Sequence, residues 1–295
     1  MAAGLTPFDI GSDLAGSIRI PAHFCGIYGL KPTEHRVSLH GLIPGLPPTP
    51  SVRLMSCVGP LARTVEDLAL LLAIIAGPDG HDTDVPAVPL GAPPELDVRR
   101  LRIAVAATFG NLPVAAEQRA ALEALAEQLR AVGALVEEVP TPTADVGEEL
   151  GRAGALIGMM LGAIEPAEGG EPTTLAQYLH ALHYRDQTML AWERFFTDWD
   201  ALLCPPAMRS AFPHCESGAP LAVDDHSVEY WLINAHTTLF NYTGHPAVVL
   251  PCTHDHDGMP LGVQLIGRRW DDARLLGIAQ ALAPLTGGFR QPPGV

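Results

Sequence analysis

The chain has 295 residues, 47% of them hydrophobic and 6% aromatic, so it can bury one large core or two modest ones. Its net charge of -15, from 33 acidic and 18 basic residues, argues against binding to nucleic acid or to an anionic membrane surface. The longest strongly apolar stretches, residues 68–77 and 154–164, are too short to cross a bilayer and predict buried helices.

The cysteines and the opening segment indicate a cellular compartment. Five cysteines, at positions 25, 57, 204, 215 and 252, form no CxxC or other ligand pair, which is typical of reduced thiols. The opening segment MAAGLTPFDIGSD has neither the basic region nor the long apolar region of a secretory signal. We therefore expect a cytoplasmic protein.

The first predicted elements surround a turn that is rich in small residues. TPFDI (residues 6–10) alternates as a strand does, a tight turn covers residues 12–17, and SIRIPAHF then begins a helix with a proline near its first turn. MSCVGPLA (residues 55–62) predicts a short extended segment. Apolar residues at helical spacing predict a helix from Val65 to Ile75, and a proline-rich loop follows over residues 78–100.

A strand-helix-strand unit occupies residues 101–139. LRIAVAA reads as a buried strand, residues 114–132 place leucines on one helix face, and ALVEEV reads as a second strand after Gly133. Such a crossover requires parallel strands with a helix against the sheet.

The rest of the chain continues the alternation of strands and helices. Residues 145–198 predict mostly helix, and ALLCPPA (201–207) predicts a strand. A helix is predicted over residues 228–240, and AVVLP and GVQLIG predict two buried strands. Residues 271–283 predict a closing helix. The predicted class is α/β, with a mixed, largely parallel central sheet covered by helices on both faces.

The turn around Ser17 is suited to stabilising negative charge. Small residues at positions 15 and 16 let a ligand approach the main chain, and free N–H groups ahead of a helix attract an anion. A serine placed there could act as a nucleophile whose tetrahedral oxyanion is stabilised by the same amides. From composition alone, an ordinary glycine turn with a serine cap is the favoured interpretation.

A longer run of residues resembles the amidase signature family, whose members are serine amide hydrolases. The run is GSDLAGSIRIPAHFCGIYGLKPT (residues 11–33), and it is long and ordered. Further matches are VGPLARTVEDLALLLAIIAGPDG (58–80), DALLCPPAMRSAFPH (200–214), FNYTGHPAVVLPC (240–252) and GMPLGVQLIGRRWDDARLLGIA (258–279). Residues 85–195 are only weakly constrained by the resemblance, as expected where substrate pockets vary.

The resemblance implies roles for the residues of the turn. Ser17 is the expected acyl-forming nucleophile, and the backbone N–H groups of Leu14, Ala15, Gly16 and Ser17 are the expected oxyanion hole. Asp13 and Arg19 resemble the family's buried polar pair, which supports the turn and does not react. Ala15 stands where many members have glycine. The implied reaction converts an amide to an acid and ammonia or an amine, and needs no metal or cofactor.

The sequence departs from the family upstream of the nucleophile. The family's general base is a lysine that acts through a bridging serine on a cis peptide, and both groups precede the nucleophile. None of the residues before Ser17 is a lysine or belongs to a GGSSGG-like loop. We therefore expect residues 1–295 to be a single amidase signature domain that is incomplete at its N-terminus. Such a chain should be poorly soluble or oligomeric when expressed alone.

No other residue of the chain replaces that base convincingly. Lys31 is the only lysine, but it lies in the GLKPT match, where the family's lysine is structural, and Ser12 is interpreted as structural as well. The histidines that were considered as bases or metal ligands are better explained as packed or solvated side chains: His23, His180, His183, His245, His254 and His256.

Two hypotheses for the function remain, with a weaker third. The first is an amidase that acts on a small-molecule amide, and it implies that the gene product is longer or that a second chain supplies the missing N-terminal part. The expected partners are a homo-oligomer or such a second chain. The second is a catalytically inactive remnant or interaction subunit with the same fold. A nucleotide-binding protein is the third, although the loop after the strand at residue 101 lacks a phosphate-binding glycine motif. Met159, Met160, Leu161, Trp192 and Trp231 are candidate lining residues of an apolar acyl pocket, with core packing as the alternative.

Overall fold

A computed structural model describes residues 1–42, 53–142, 145–164 and 172–294. Within these residues the strands are β1 (Asp9–Asp13), β2 (Tyr28–Lys31), β3 (Cys57–Ala62), β4 (Arg102–Val105), β5 (Leu135–Glu138), β6 (Ala201–Cys204), β7 (Leu221–Val223), β8 (His226–Val228), β9 (Ala247–His254) and β10 (Pro260–Ile266). The α-helices are α1 (Arg19–Cys25), α2 (Val65–Ile75), α3 (Ala116–Ala131), α4 (Val146–Ile164), α5 (Leu175–Asp198), α6 (Ala235–Tyr242) and α7 (Asp272–Leu282).

One eight-stranded sheet organises the fold, in the order β1-β3-β2-β9-β10-β6-β4-β5. The expected mixed sheet is confirmed. Parallel pairing is confined to β6, β4 and β5, where α3 makes the predicted crossover, and the other neighbouring strands are antiparallel. Short connections such as the turn between β9 and β10 can join only antiparallel strands.

Alternating side chains of the strands pack against helices on both faces of the sheet. In β9, Val248 and Leu250 face the core that contains apolar residues of α2, α3 and α7, whereas Val249 packs with Ile18 and Ala22 beside α1. Helices α5 and α6 cover another part of the second face. Both faces are therefore buried, as the apolar runs of these strands predict.

The structure differs from the sequence-based prediction in several local features. The first strand runs from Asp9 to Asp13, instead of over residues 6–10, because Gly11, Ser12 and Asp13 pair with β3. Strand β2 is also absent from the prediction. The β7–β8 hairpin is not predicted. Its two central residues are both aspartates, with Asp224 at φ 49°, so the usual glycine marker of a two-residue turn is absent.

Strand β1 lies at one edge of the sheet and leads directly into the Ser17 turn. Within the described ranges it pairs only with β3, and Phe8 and Ile10 are 46% and 39% exposed. None of the helices in the described part of the chain is both long and apolar enough to span a membrane.

Candidate active site

Ser17 lies in an exposed turn between β1 and α1, as the sequence predicts. Its neighbours Gly16 and Ile18 are buried, so the turn presents the serine to solvent while its flanks are anchored. Gly16 has φ 124°, in the region that favours glycine, and a Cβ there would lie 2.9 Å from Cβ of Thr237. The turn therefore requires glycine for both its backbone angle and its contact with α6.

The Asp13 carboxylate holds the turn from the inside. Oδ1 accepts a hydrogen bond from the Gly16 N–H at 2.8 Å, and Oδ2 accepts from the Ile18 N–H at 3.1 Å. Arg19 adds an ion pair at 2.9 Å between two side chains that are fully buried. Burial alone would raise the pKa of Asp13, but the charge and hydrogen bonds of Arg19 and the amide of Asn241 outweigh it and lower the pKa to about 2. Asp13 is therefore ionised at neutral pH.

Two further buried side chains complete this network, and sequence reasoning did not single them out. Nδ2 of Asn241 is 2.9 Å from Oδ1 of Asp13 and 2.9 Å from its carbonyl oxygen, and Arg19 donates to Oδ1 of Asn241. Arg19 also donates to Oε1 of Gln264 at 2.8 Å. Asn241 lies inside the motif match at residues 240–252, and Gln264 inside the match at 258–279. Both residues therefore lie in segments that match the family, but their hydrogen-bond partners can be identified only from the three-dimensional structure.

The four N–H groups named as an oxyanion hole are not equivalent. The Gly16 N–H donates to Asp13, whereas the N–H groups of Leu14, Ala15 and Ser17 donate to no group in the described part of the chain. The carbonyl of Ala15 accepts a hydrogen bond from the Thr237 hydroxyl at 2.8 Å. The peptide unit between Ala15 and Gly16 is therefore held at both its carbonyl and its N–H. Three of the amides therefore have no hydrogen-bond partner among the described residues, and the fourth supports the turn.

Lys31 is fully buried in β2. Its Nζ donates to the Pro32 carbonyl at 2.9 Å and lies 3.5 Å from Sγ of Cys57, a thiol whose pKa is raised to about 11 by burial. Lys31 makes no hydrogen bond to Ser17, and Ser12 is exposed on β1. These positions fit the structural roles that the sequence predicts for both residues.

None of the described histidines hydrogen-bonds to the Ser17 hydroxyl, which makes no hydrogen bond to any described residue. His23 accepts from the Gly262 N–H and contacts the Arg209 carbonyl, and burial lowers its pKa to about 4. Burial also holds the pKa of His245 well below its usual range. His256 pairs with Glu117 on the surface. Among the described residues, no cluster of histidine, cysteine and carboxylate side chains is arranged to hold a metal ion.

The candidate lining residues of an acyl pocket separate into different places. Met159 and Met160 line an apolar cavity of about 410 Å³ between the end of α4 and the start of α5, together with Tyr178. Met160 also belongs to the apolar cluster that contains Leu14 of the turn. Trp192 is buried in the core. Leu161 and Trp231 are 49% and 61% exposed.

Comparison with known proteins identifies the family. The amidase family model matches residues 1–160 and 159–276. A glutamyl-tRNA(Gln) amidotransferase subunit of Lysinibacillus sphaericus is 32% identical over 99% of this chain and 66% of its own length.

Solved structures give the same result. A protein from a vestigial complex connected with the evolutionary origins of an s-triazine catabolic enzyme is 31% identical, with a TM-score of 0.78 over 99% of this chain and 65% of its own. A 6-aminohexanoate cyclic dimer hydrolase is 26% identical, with a TM-score of 0.77 over 99% of this chain and 67% of its own. The chain thus spans about two thirds of the length of the curated relatives it matches. It belongs to the amidase family.

Proposed function

We propose that the protein hydrolyses a small-molecule carboxylic amide through an acyl intermediate on Ser17. The observation that carries the proposal is the exposed Ser17 beside three N–H groups that have no hydrogen-bond partner among the described residues, in a chain of the amidase family. Relatives that are named as amidotransferase subunits and amide-cleaving hydrolases support this class of reaction.

The proposed reaction begins when the Ser17 oxygen attacks the amide carbonyl carbon and its proton passes to a base. The carbonyl oxygen then becomes an anion, which the N–H groups of Leu14, Ala15 and Ser17 stabilise. Breakage of the C–N bond releases ammonia or an amine, which takes up the proton that the base received from Ser17. Water then hydrolyses the serine ester, which yields the carboxylic acid and restores the hydroxyl. Asp13 and Arg19 hold the turn and do not react.

We infer that the residues described by the structure do not supply the proton acceptor. No described side chain hydrogen-bonds to the Ser17 hydroxyl, and the resemblance implies a lysine and a bridging serine that precede the nucleophile. These groups would come from a preceding segment of the same polypeptide or from a partner chain of different sequence. In this proposal residues 1–295 belong to one amidase domain, and the reaction takes place in the cytoplasm.

A catalytically inactive remnant or interaction subunit is the second candidate. The observation that favours it is the same lack of a hydrogen-bond partner for the Ser17 hydroxyl within the described residues. Such a protein would retain the sheet and the turn but would not convert an amide.

The test is labelling of Ser17 by a fluorophosphonate probe, which reacts with activated serines. Wild type, Ser17→Ala and the matched control Ser12→Ala would each be labelled alone and after mixing with a polypeptide that carries the N-terminal third of an amidase-family relative. The proposal predicts labelling of wild type and Ser12→Ala in the mixture, and none of Ser17→Ala. Absence of labelling in every sample would favour the inactive candidate, and equal labelling of Ser17→Ala would refute Ser17 as the nucleophile.

A further inference from the structure

An ion pair inside the protein joins α5 to the region of the Ser17 turn. Nη2 of Arg185, in α5, lies 2.6 Å from Oε2 of Glu34, which follows β2, and the two side chains are only 6% and 2% exposed. Nε of Arg185 also donates to the Tyr242 carbonyl at 2.7 Å, at the end of α6. One guanidinium therefore fixes both Glu34 and the end of the helix that carries Asn241.

Glu34 has a second partner, in the backbone. Its Oε1 accepts a hydrogen bond from the Met55 N–H at 2.5 Å. Met55 has φ 65°, a left-handed conformation that is unfavourable for a residue with a side chain, and its side chain is fully buried. Because surrounding contacts must hold such a backbone, the bond to Glu34 stabilises the strained peptide.

The carbonyl of Met55 connects this residue to the turn. It accepts a hydrogen bond at 2.9 Å from Nδ2 of Asn241, the same nitrogen that lies 2.9 Å from the Asp13 carboxylate. Asp13 in turn accepts from the Gly16 and Ile18 N–H groups. An unbroken series of hydrogen bonds therefore runs from Arg185 through Glu34, Met55 and Asn241 to the turn.

We propose that Glu34 and Arg185 are positioning residues for the Ser17 turn. They hold Met55 in its left-handed conformation. The Met55 carbonyl can then hold the side-chain amide of Asn241 against Asp13. Asp13 in turn fixes the direction of the backbone N–H groups in the Ser17 turn. The catalytic consequence rests on the proposed amide hydrolysis at Ser17, but the effect on the turn does not.

The alternative is that the ion pair only stabilises the protein as a whole, and glycine at position 55 distinguishes the two roles. Glycine adopts positive φ readily, so Met55→Gly removes the strain that Glu34 opposes. Met55→Ala removes the same side chain beyond Cβ but retains the strain, which makes it the matched control. If Glu34 acts through Met55, glycine should make Glu34 less important for the turn, and alanine should not.

The first readout does not depend on activity. Amide hydrogen exchange would be measured for a peptide covering residues 13–19, with a peptide of β9 as the reference. Glu34→Gln is expected to speed exchange in the turn about tenfold relative to β9, since a charged hydrogen-bond acceptor is lost. Combination with Met55→Gly should restore most of the protection, and combination with Met55→Ala should not.

The second readout is the rate of fluorophosphonate labelling of the same variants, which should follow the same pattern. If wild type is not labelled, the proposed function fails, and the exchange data alone decide the positioning role. Equal changes in the turn and in β9, or equal effects of Met55→Gly and Met55→Ala, would overturn the proposal. If Glu34→Gln does not fold, Arg185→Lys takes its place, because it keeps a cation beside Glu34 but cannot reproduce the paired contacts of the guanidinium.

Discussion

Asn241 and Asp13 are 228 residues apart in the chain, yet the side-chain amide of one lies 2.9 Å from the carboxylate of the other. This contact joins two distant segments of the chain at the candidate active site, because Asp13 ends β1 and Asn241 belongs to α6. The Ser17 turn is therefore held by tertiary structure and not by its local sequence alone.

Asn241→Ala should destabilise the protein and loosen the turn. The substitution removes one hydrogen-bond partner from each of the buried polar groups of Asp13, Arg19 and Met55, which costs roughly 2–4 kcal/mol in the free energy of unfolding. Urea unfolding followed by circular dichroism measures the loss, with the exposed Asn111 changed to Ala as the control. Equal stability of the two variants would contradict the role assigned to Asn241.

Gly16→Ala should disrupt the turn, because alanine is strained at φ 124° and its Cβ would approach Thr237 too closely. We expect a loss of at least about 2 kcal/mol in unfolding free energy and a sharp fall in Ser17 labelling. Gly154→Ala, on the exposed side of α4 with no atom near its new Cβ, should instead stabilise the protein by about 0.5–1 kcal/mol. A harmless Gly16→Ala variant would show that the turn has another conformation.

Stability should fall as the pH drops below about 6.5. Burial lowers the pKa of His236 from 6.5 to about 4, so the unfolded chain takes up a proton before the folded protein does. The folded state consequently loses stability between about pH 6.5 and 4, which amounts to about 2 kcal/mol from this residue at pH 5.

His236→Leu removes that titration, so its urea stability should depend less steeply on pH between 7 and 5 than that of wild type. His256→Gln is the control, because His256 is exposed and its pKa is raised by Glu117, which makes its contribution disappear as the pH rises. An unchanged slope in His236→Leu would mean that the ring is solvated or paired in solution.

The isolated chain should self-associate through the edge strand β1. Its outer edge is unpaired in the described structure, and Ile10 presents an apolar side chain there. Ile10→Lys should shift the protein toward the monomer in sedimentation velocity, whereas Leu190→Lys, an exposed position on α5, should not. A monomeric wild type with a cooperative melting transition would contradict this prediction.

The sequence predicts local features of the site well and its distant contacts poorly. The GSDLAGS run predicts the turn, the exposed serine and the following helix, because these follow from small residues and chain direction over a few positions. It cannot predict that Gly16 donates to Asp13 while the other amides stay free, since this depends on how the carboxylate turns inward.

Contacts between remote segments are beyond what periodicity reveals. Glu34 and Arg185 are 151 residues apart, and nothing in the sequence around either residue distinguishes it from a charged residue on the surface. Periodicity also does not reveal whether neighbouring strands of the sheet are parallel or antiparallel. The crossover at residues 101–139 correctly predicts parallel strands, but apolar runs such as AVVLP predict a buried strand without indicating the direction of its neighbours.

Mass spectrometry of the acyl-enzyme tests the central claim most directly. The chain, supplied with the N-terminal third of an amidase-family relative, would be mixed with a panel of aryl amides, quenched in acid and digested. The account predicts a mass increase equal to the acyl group on the peptide that contains Ser17, and its absence in Ser17→Ala. Amide turnover with the acyl group on another residue, or turnover retained in Ser17→Ala, would contradict it.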